Sequence, residues 1–327
     1  MGAHDQAIAA AKRALALATA GGDVVLQALA NRYLGHGYQV QGDYRRAIDC
    51  FRQTVASLEG PRCREGFGLV FLPAVLARAH LAMCHVELGT FAESRAFGDE
   101  GLRIAEAADH PASLMYIYRG TGLLALRQGD LPRALPLLER AVGICQEADL
   151  QFYFPSNVES LGTAYTLAGR VADAVPLLTQ ALEQAMATGR VDNQARYRLS
   201  LGEVRALAGR LDDAHTLAEG ALALTNRHQE RGNRAYALRL LGEIAAHRDP
   251  PEIEQAEDHY RQAVALAAEL GMRPLIAHCQ LGLGTLFAMI GRGELARAEL
   301  STAIDLYRAM NMTFWLPRAE AALAQAK

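Results

Sequence analysis

Five cysteines, ten histidines and a scatter of serines define the chemistry that this 327-residue chain could attempt. Cys50, Cys63, Cys84, Cys145 and Cys279 are odd in number and far apart. None forms a CxxC pair, so neither a disulfide framework nor a zinc ribbon is expected, and a reduced, cytoplasmic setting is. His80 and Cys84 stand four apart on one predicted helix, with His85 beside them. Two ligands at that spacing can share a metal, but no third or fourth lies close in sequence. A packed cysteine and an exposed histidine are expected there instead. His278 and Cys279 are adjacent and face different directions. Ser156, Ser160 and Ser200 sit in ordinary helical contexts without a legible nucleophile–base pattern. No GxxxxGK[ST] phosphate loop is present. The expectation is no catalytic residue, no metal and no cofactor: the chain is not an enzyme.

What must position these residues is a repeat. The segments LGHGYQVQGDYRRAI from Leu34, LGTAYTLAGRVADAV from Leu161, LGEVRALAGRLDDAH from Leu201 and LGTLFAMIGRGELAR from Leu283 align directly, and those from Leu81 and Thr121 keep the frame. A second glycine follows the first by seven residues, at Gly42, Gly89, Gly129, Gly169, Gly209 and Gly291. That glycine ends a helix in the left-handed conformation. The first small residue (Gly35, Ala82, Gly122, Gly162, Gly202, Gly242, Gly284) lets paired helices approach closely. Alanines at 47, 134, 174, 214, 256 and 296 belong in the crowded contact with the preceding helix, and small residues recur two turns on. Pro73, Pro111, Pro155, Pro274 and Pro317 mark starts of helices, while Pro136 and Pro176 are deep enough to bend theirs.

The fold predicted is all-α: a right-handed α-solenoid of antiparallel helix hairpins. A partial repeat spans 1–20 and full repeats span 23–60, 66–108, 111–149, 154–188, 192–229, 233–270 and 273–310. A capping helix follows at 313–327. One turn is irregular, at Asp249-Pro250-Pro251, and one joint is long, from Gly60 to Phe71.

Leu161, Gly162, Tyr165, Ala174 and Ala181, and Leu34, Gly35, Tyr38, Ala47 and Phe51, resemble the signature positions of the tetratricopeptide (TPR) repeat family. The period of about 40 residues is longer than that family's usual repeat. The texture from His110 to Val142 and from Ala298 to Gln325 also resembles the C-terminal TPR region of bacterial signalling ATPases and class III adenylate–guanylate cyclase-like proteins. Neither catalytic module is present, so neither activity carries over. A start inside a repeat fits a fragment of a larger protein.

The TPR resemblance implies that first helices line a concave groove. By register that groove carries Arg32, His36, Gln39, Tyr116, Arg119, Arg127, Glu159, Arg196, Glu203, Tyr236, Arg239, Glu243 and His278. Arg and Tyr there suit a protein or peptide ligand, extended or acidic. Lysine occurs only at Lys12 and Lys327, so the positive charge is nearly all arginine, which favours bidentate contacts and which a GC-rich coding sequence also supplies. A net charge of -3 gives no pull toward nucleic acid or an anionic membrane, and no long apolar run predicts a membrane span. The expected function is a protein-interaction scaffold, the regulatory arm of a larger signalling protein. Two alternatives stand beside it: homodimerisation through exposed repeat ends, and binding of a small effector inside the superhelix. Three aromatic–proline segments, Phe67–Pro73, Phe152–Pro155 and Phe314–Pro317, read as hydrophobic staples or as an apolar edge for a partner.

Overall fold

Ala47, Ala134, Ala174, Ala214, Ala256 and Ala296 are all fully buried, and each lies one turn into the second helix of a hairpin. Their small size lets that helix settle against the first. The signature glycines complete the fit: a methyl at Gly162 would meet Leu178 Cγ at 2.7 Å, and one at Gly122 would meet Leu138 at 2.7 Å. At both positions a leucine of the second helix fills the space that the glycine leaves, and burying such a leucine contributes roughly 2 kcal/mol.

The computed structural model describes residues 3–188 and 193–326 and holds sixteen α-helices among them. The first helices of the hairpins are α2 (Val24–Gln41), α4 (Pro73–Leu88), α6 (Pro111–Gln128), α8 (Phe154–Leu167), α10 (Gln194–Leu207), α12 (Arg231–His247) and α14 (Arg273–Met289). Their partners are α3 (Tyr44–Ser57), α5 (Phe91–Ala107), α7 (Leu131–Glu147), α9 (Val171–Ala187), α11 (Leu211–His228), α13 (Ile253–Leu270) and α15 (Gly293–Ala309). The half hairpin is a full-length helix, α1 (Ala3–Ala20), packed on α2, and α16 (Leu316–Gln325) closes the other end. No strand occurs among the described residues. The fold is an all-α solenoid.

Local chemistry explains the boundaries. Asp43 and Asp130 follow the turn glycine and accept hydrogen bonds from Arg46 N (3.2 Å) and Arg133 N (3.3 Å), capping α3 and α7. Arg170 and Arg210 stand at the same place and cannot accept; they pair instead with Asp173 and Asp213, each at 2.7 Å. Proline opens α4 and α6 and is the second residue of α8, α14 and α16, where a missing N–H costs nothing. The long joint holds a short 3-10 turn, Gly60–Arg64.

One feature has no counterpart in the repeat pattern. The superhelix makes a full turn and lays its last hairpins on its first, with α12 against α2 and α14 against α4. The turn at Gly42 meets Gly232 N and Leu270, that at Gly89 meets Pro274 and Met310, and that at Gly129 meets Phe314 and Trp315. Gly169, Gly209 and Gly291 have identical roles in their own hairpins, yet nothing lies within 4 Å of the place a side chain would take. A single apolar cluster therefore runs from Tyr44, Leu81 and Phe91 to Leu238, Leu275, Tyr307 and Met312.

Candidate binding site

First helices carry their polar residues on the side away from the second helices, and overlap of the superhelix brings these residues together. They form two clusters. One draws on α2, α4, α6, α8 and α10. His80 Nδ1 lies 2.7 Å from Gln39 Oε1, and its other ring nitrogen lies 3.4 Å from the Tyr116 hydroxyl. His36 and Phe51 pack on the His80 ring, at 5.3 and 5.0 Å between centroids. Arg119 Nε donates to the Ser156 carbonyl at 3.0 Å and to Ser160 Oγ at 2.9 Å. Glu159 accepts from Ser200 at 2.8 Å and pairs with Arg196 at 3.4 Å. Ser156 Oγ is 2.7 Å from the Tyr197 hydroxyl. Arg32 stacks on Tyr33 at 3.8 Å.

The second cluster lies about two turns further along α4 and α6, roughly 11 Å on, where α12 and α14 cross. Tyr236 donates to Glu87 at 2.7 Å across the overlap, and Arg127 pairs with the same carboxylate at 3.2 Å while lying 5.0 Å from the Tyr236 ring. Arg239 bridges Glu203 and, at 2.7 Å, Glu243. His278 meets the Tyr307 hydroxyl at 2.8 Å under Trp315.

The two clusters treat charge differently. Burial opposes the charge of Arg239, but Glu203 and Glu243 outweigh it and raise its pKa. Arg127 follows the same rule through Tyr236, Glu87 and Glu203, and Arg196 through Glu159. For Arg32 and Arg119 burial wins, and their pKa values fall below the ordinary arginine range. Neither makes an ion pair with a carboxylate among the described residues, and Arg32 Nε and Arg119 Nη2 are buried without an acceptor. Burial likewise pushes His80 and His278 well down and Glu203 up.

Of the thirteen residues anticipated on the groove, those from Arg32 to Arg196 other than Arg127 fall in or beside the first cluster. Arg127, Glu203, Tyr236, Arg239, Glu243 and His278 fall in the second. Their interactions are largely with one another. His36 is exposed, whereas Arg119 is 4% exposed. Three residues that the register missed, Glu87, Tyr197 and Tyr307, complete the clusters; Glu87 stands two residues before Gly89, as Arg127 does before Gly129, and only the overlap brings it to Tyr236. One expectation fails outright. His80 is not exposed but buried, at 4%, because α2 and α6 close on both sides of it. Cys84, packed as expected, is fully buried.

The tetratricopeptide repeat family model matches residues 33–111 and 160–228, so TPR repeats are present in those two stretches. No curated protein matches the chain. Among solved structures, the Rap conjugation gene regulator of plasmid pLS20 in complex with the Phr* peptide aligns with a TM-score of 0.67 at 13% identity, covering 90% of this chain and 78% of that one. A Rap protein complexed with Competence and Sporulation Factor aligns at 0.67 and 11% identity, over 92% and 85%. Aspartyl phosphate phosphatase F from Bacillus subtilis aligns at 0.57 and 12% identity, over 89% and 73%. At such identities the likeness is one of fold. No helix among the described residues is long and apolar enough to cross a membrane.

Proposed function

We propose that the chain is a non-catalytic scaffold that binds a protein or peptide along the inner face of its superhelix. The observation that carries this reading is the convergence of first-helix Arg, Tyr and Glu side chains from hairpins as far apart as Glu87 and Tyr236. Such groups give anchors with direction and charge. Two proteins of similar fold were solved with the Phr* peptide and with Competence and Sporulation Factor, which favours the same use here. In the overlapped form most of the inner residues bond to one another, so the partner gains the face by exchanging its own groups for theirs. Placement of this scaffold in the cytoplasm, as the regulatory arm of a larger signalling ATPase or cyclase, is the same proposal in its widest form and draws on the sequence resemblance.

Peptides selected on the immobilised protein from a random display library provide the test. Arg196→Glu with Arg239→Glu abolishes their binding, while Arg45→Glu with Arg133→Glu on second helices leaves it unchanged. The opposite pattern counts against the inner face. Self-association is the second reading, favoured by Leu17 and Leu26, which are 76% and 53% exposed at the N-terminal end. Light scattering that gives a concentration-independent monomer removes it.

A further inference from the structure

We propose that copies of this chain join head to tail, α1 of one copy completing the hairpin that α16 opens in the next. The inference rests on the self-association reading and assigns it two unlike surfaces. The first lies on α1. Ile8 and Ala11 pack on α2 beside Leu34. Ala7, Ala10, Ala14 and Leu17 form an adjacent face of the same helix and are exposed, Leu17 by 76%. Ala7 and Ala14 follow Gly2 by five and twelve residues, as Ala134 and Ala141 follow Gly129. In all seven full hairpins the residues at these two places are buried. A repeat buries such a face only against its neighbour, so this side of α1 has the form that receives a first helix.

The second surface is the groove between α15 and α16. α16 opens on Leu316-Pro317, as first helices α4, α6, α8 and α14 open on proline, and packs on α15. Between them runs an open groove of about 350 Å³, floored by Ile304, Leu323 and Ala324. Asp305 and Glu320 stand on its rim, Glu320 beside Arg308, and the exposed face of α1 brings Lys12 and Arg13 to them. Such a join also continues the overlap in step. Within one copy the turns at Gly42, Gly89 and Gly129 rest on the starts of α12, α14 and α16, each five hairpins further on. With α1 of a second copy completing the eighth hairpin, the turns at Gly169 and Gly209 come under the starts of that copy's α2 and α4. These are turns with nothing within 4 Å of the place a side chain would take. Leu207, just before Gly209, and Val70, just before α4, are each 56% exposed, and the same step sets one against the other. The second copy is therefore favoured as the occupant, since one arrangement covers both half hairpins and extends an interface that the chain already makes with itself.

Light scattering of the full chain over a concentration series tests the join. Ala14→Glu and Ala324→Glu each block one surface at an exposed position, and Leu17→Glu repeats the block on α1. The native mass is expected to rise past that of a dimer, because unlike surfaces leave every assembly with two free ends. Each variant alone is expected to stay monomeric at unchanged helicity. An equimolar mixture of Ala14→Glu and Ala324→Glu forms a dimer and stops there, since one intact surface of each kind remains. A native chain that is monomeric at every concentration overturns the proposal together with the self-association reading. A native assembly that stops at a dimer, oligomers that persist in either variant, or a mixture that stays monomeric overturns the head-to-tail join alone and leaves self-association to another face.

Discussion

Arg119 and Arg239 occupy the same place in the repeat, three residues before the signature glycines Gly122 and Gly242. Both point inward, and burial works against both charges. Arg239 finds Glu203 on the preceding first helix and Glu243 one turn along its own. Arg119 finds a carbonyl and a serine, because Glu159, at the equivalent place on the following helix, is claimed by Arg196. Register therefore supplies an address on the inner face, and the neighbouring hairpins decide whether the charge delivered there is paired. The second cluster ties its charges together across the overlap; in the first, Arg32 and Arg119 make no ion pair with a carboxylate among the described residues.

Substitutions break that comparison in graded fashion. Arg239→Met leaves two partly buried carboxylates sharing no cation and costs about 2–4 kcal/mol, a little under the range for a fully buried pair. Arg32→Met strands no carboxylate and is neutral or stabilising by up to about 1 kcal/mol. Urea unfolding midpoints of the two variants, measured side by side, check the contrast; equal losses would mean that Arg32 is paired after all.

The overlap itself is separated from ordinary turn chemistry by Gly129→Val and Gly169→Val. Both residues have positive φ, so both variants carry the same backbone strain. Only the first meets Phe314 and Trp315, and we expect it to lose a further ~1–3 kcal/mol, as for an overpacked core. Because Trp315 is the single tryptophan, its emission reports the displaced contact directly. Tyr236→Phe deletes the hydrogen bond to Glu87 and leaves the ring in place, at a cost of about 1–2 kcal/mol for a bond to a charged acceptor. A smaller loss places the strength of the overlap in its apolar contacts.

Acid reaches both clusters. Burial, aided by His36, Arg32 and Arg119, depresses His80; burial with Arg239, Arg127 and Arg318 depresses His278. The folded chain keeps both rings neutral while the unfolded chain protonates them near the ordinary value of 6.5. Their contribution to stability is present above about 6.5 and is lost as pH falls toward the depressed folded values. Melting temperature should fall on acidification below that point, and His80→Gln and His278→Gln should each flatten the slope.

Much of this architecture was legible in the chain. The alanines from Ala47 to Ala296 read as contact positions and are buried without remainder, since a steric requirement repeats wherever the hairpin repeats. The prolines marked helix starts, and Gly89, with φ of 75°, ends its helix as its position demanded. Thirteen positions could be proposed for the inner face from the TPR resemblance together with the register, because side-chain direction on a helix follows from spacing.

Their partners could not be named. Whether His80 would lie at the surface or under Gln39 and Tyr116 depends on helices about 40 residues away on either side. Whether Glu87 would meet Tyr236 depends on how many hairpins complete a superhelical turn. That number is set by small angles between successive repeats, which add over the whole solenoid and leave no mark on a single repeat. The sequence by itself thus determined the hairpins, their boundaries and their inward faces, all products of local sterics. Tertiary structure decided which turns are covered and which arginines find a carboxylate among the described residues, because those outcomes arise where distant repeats come to rest on one another.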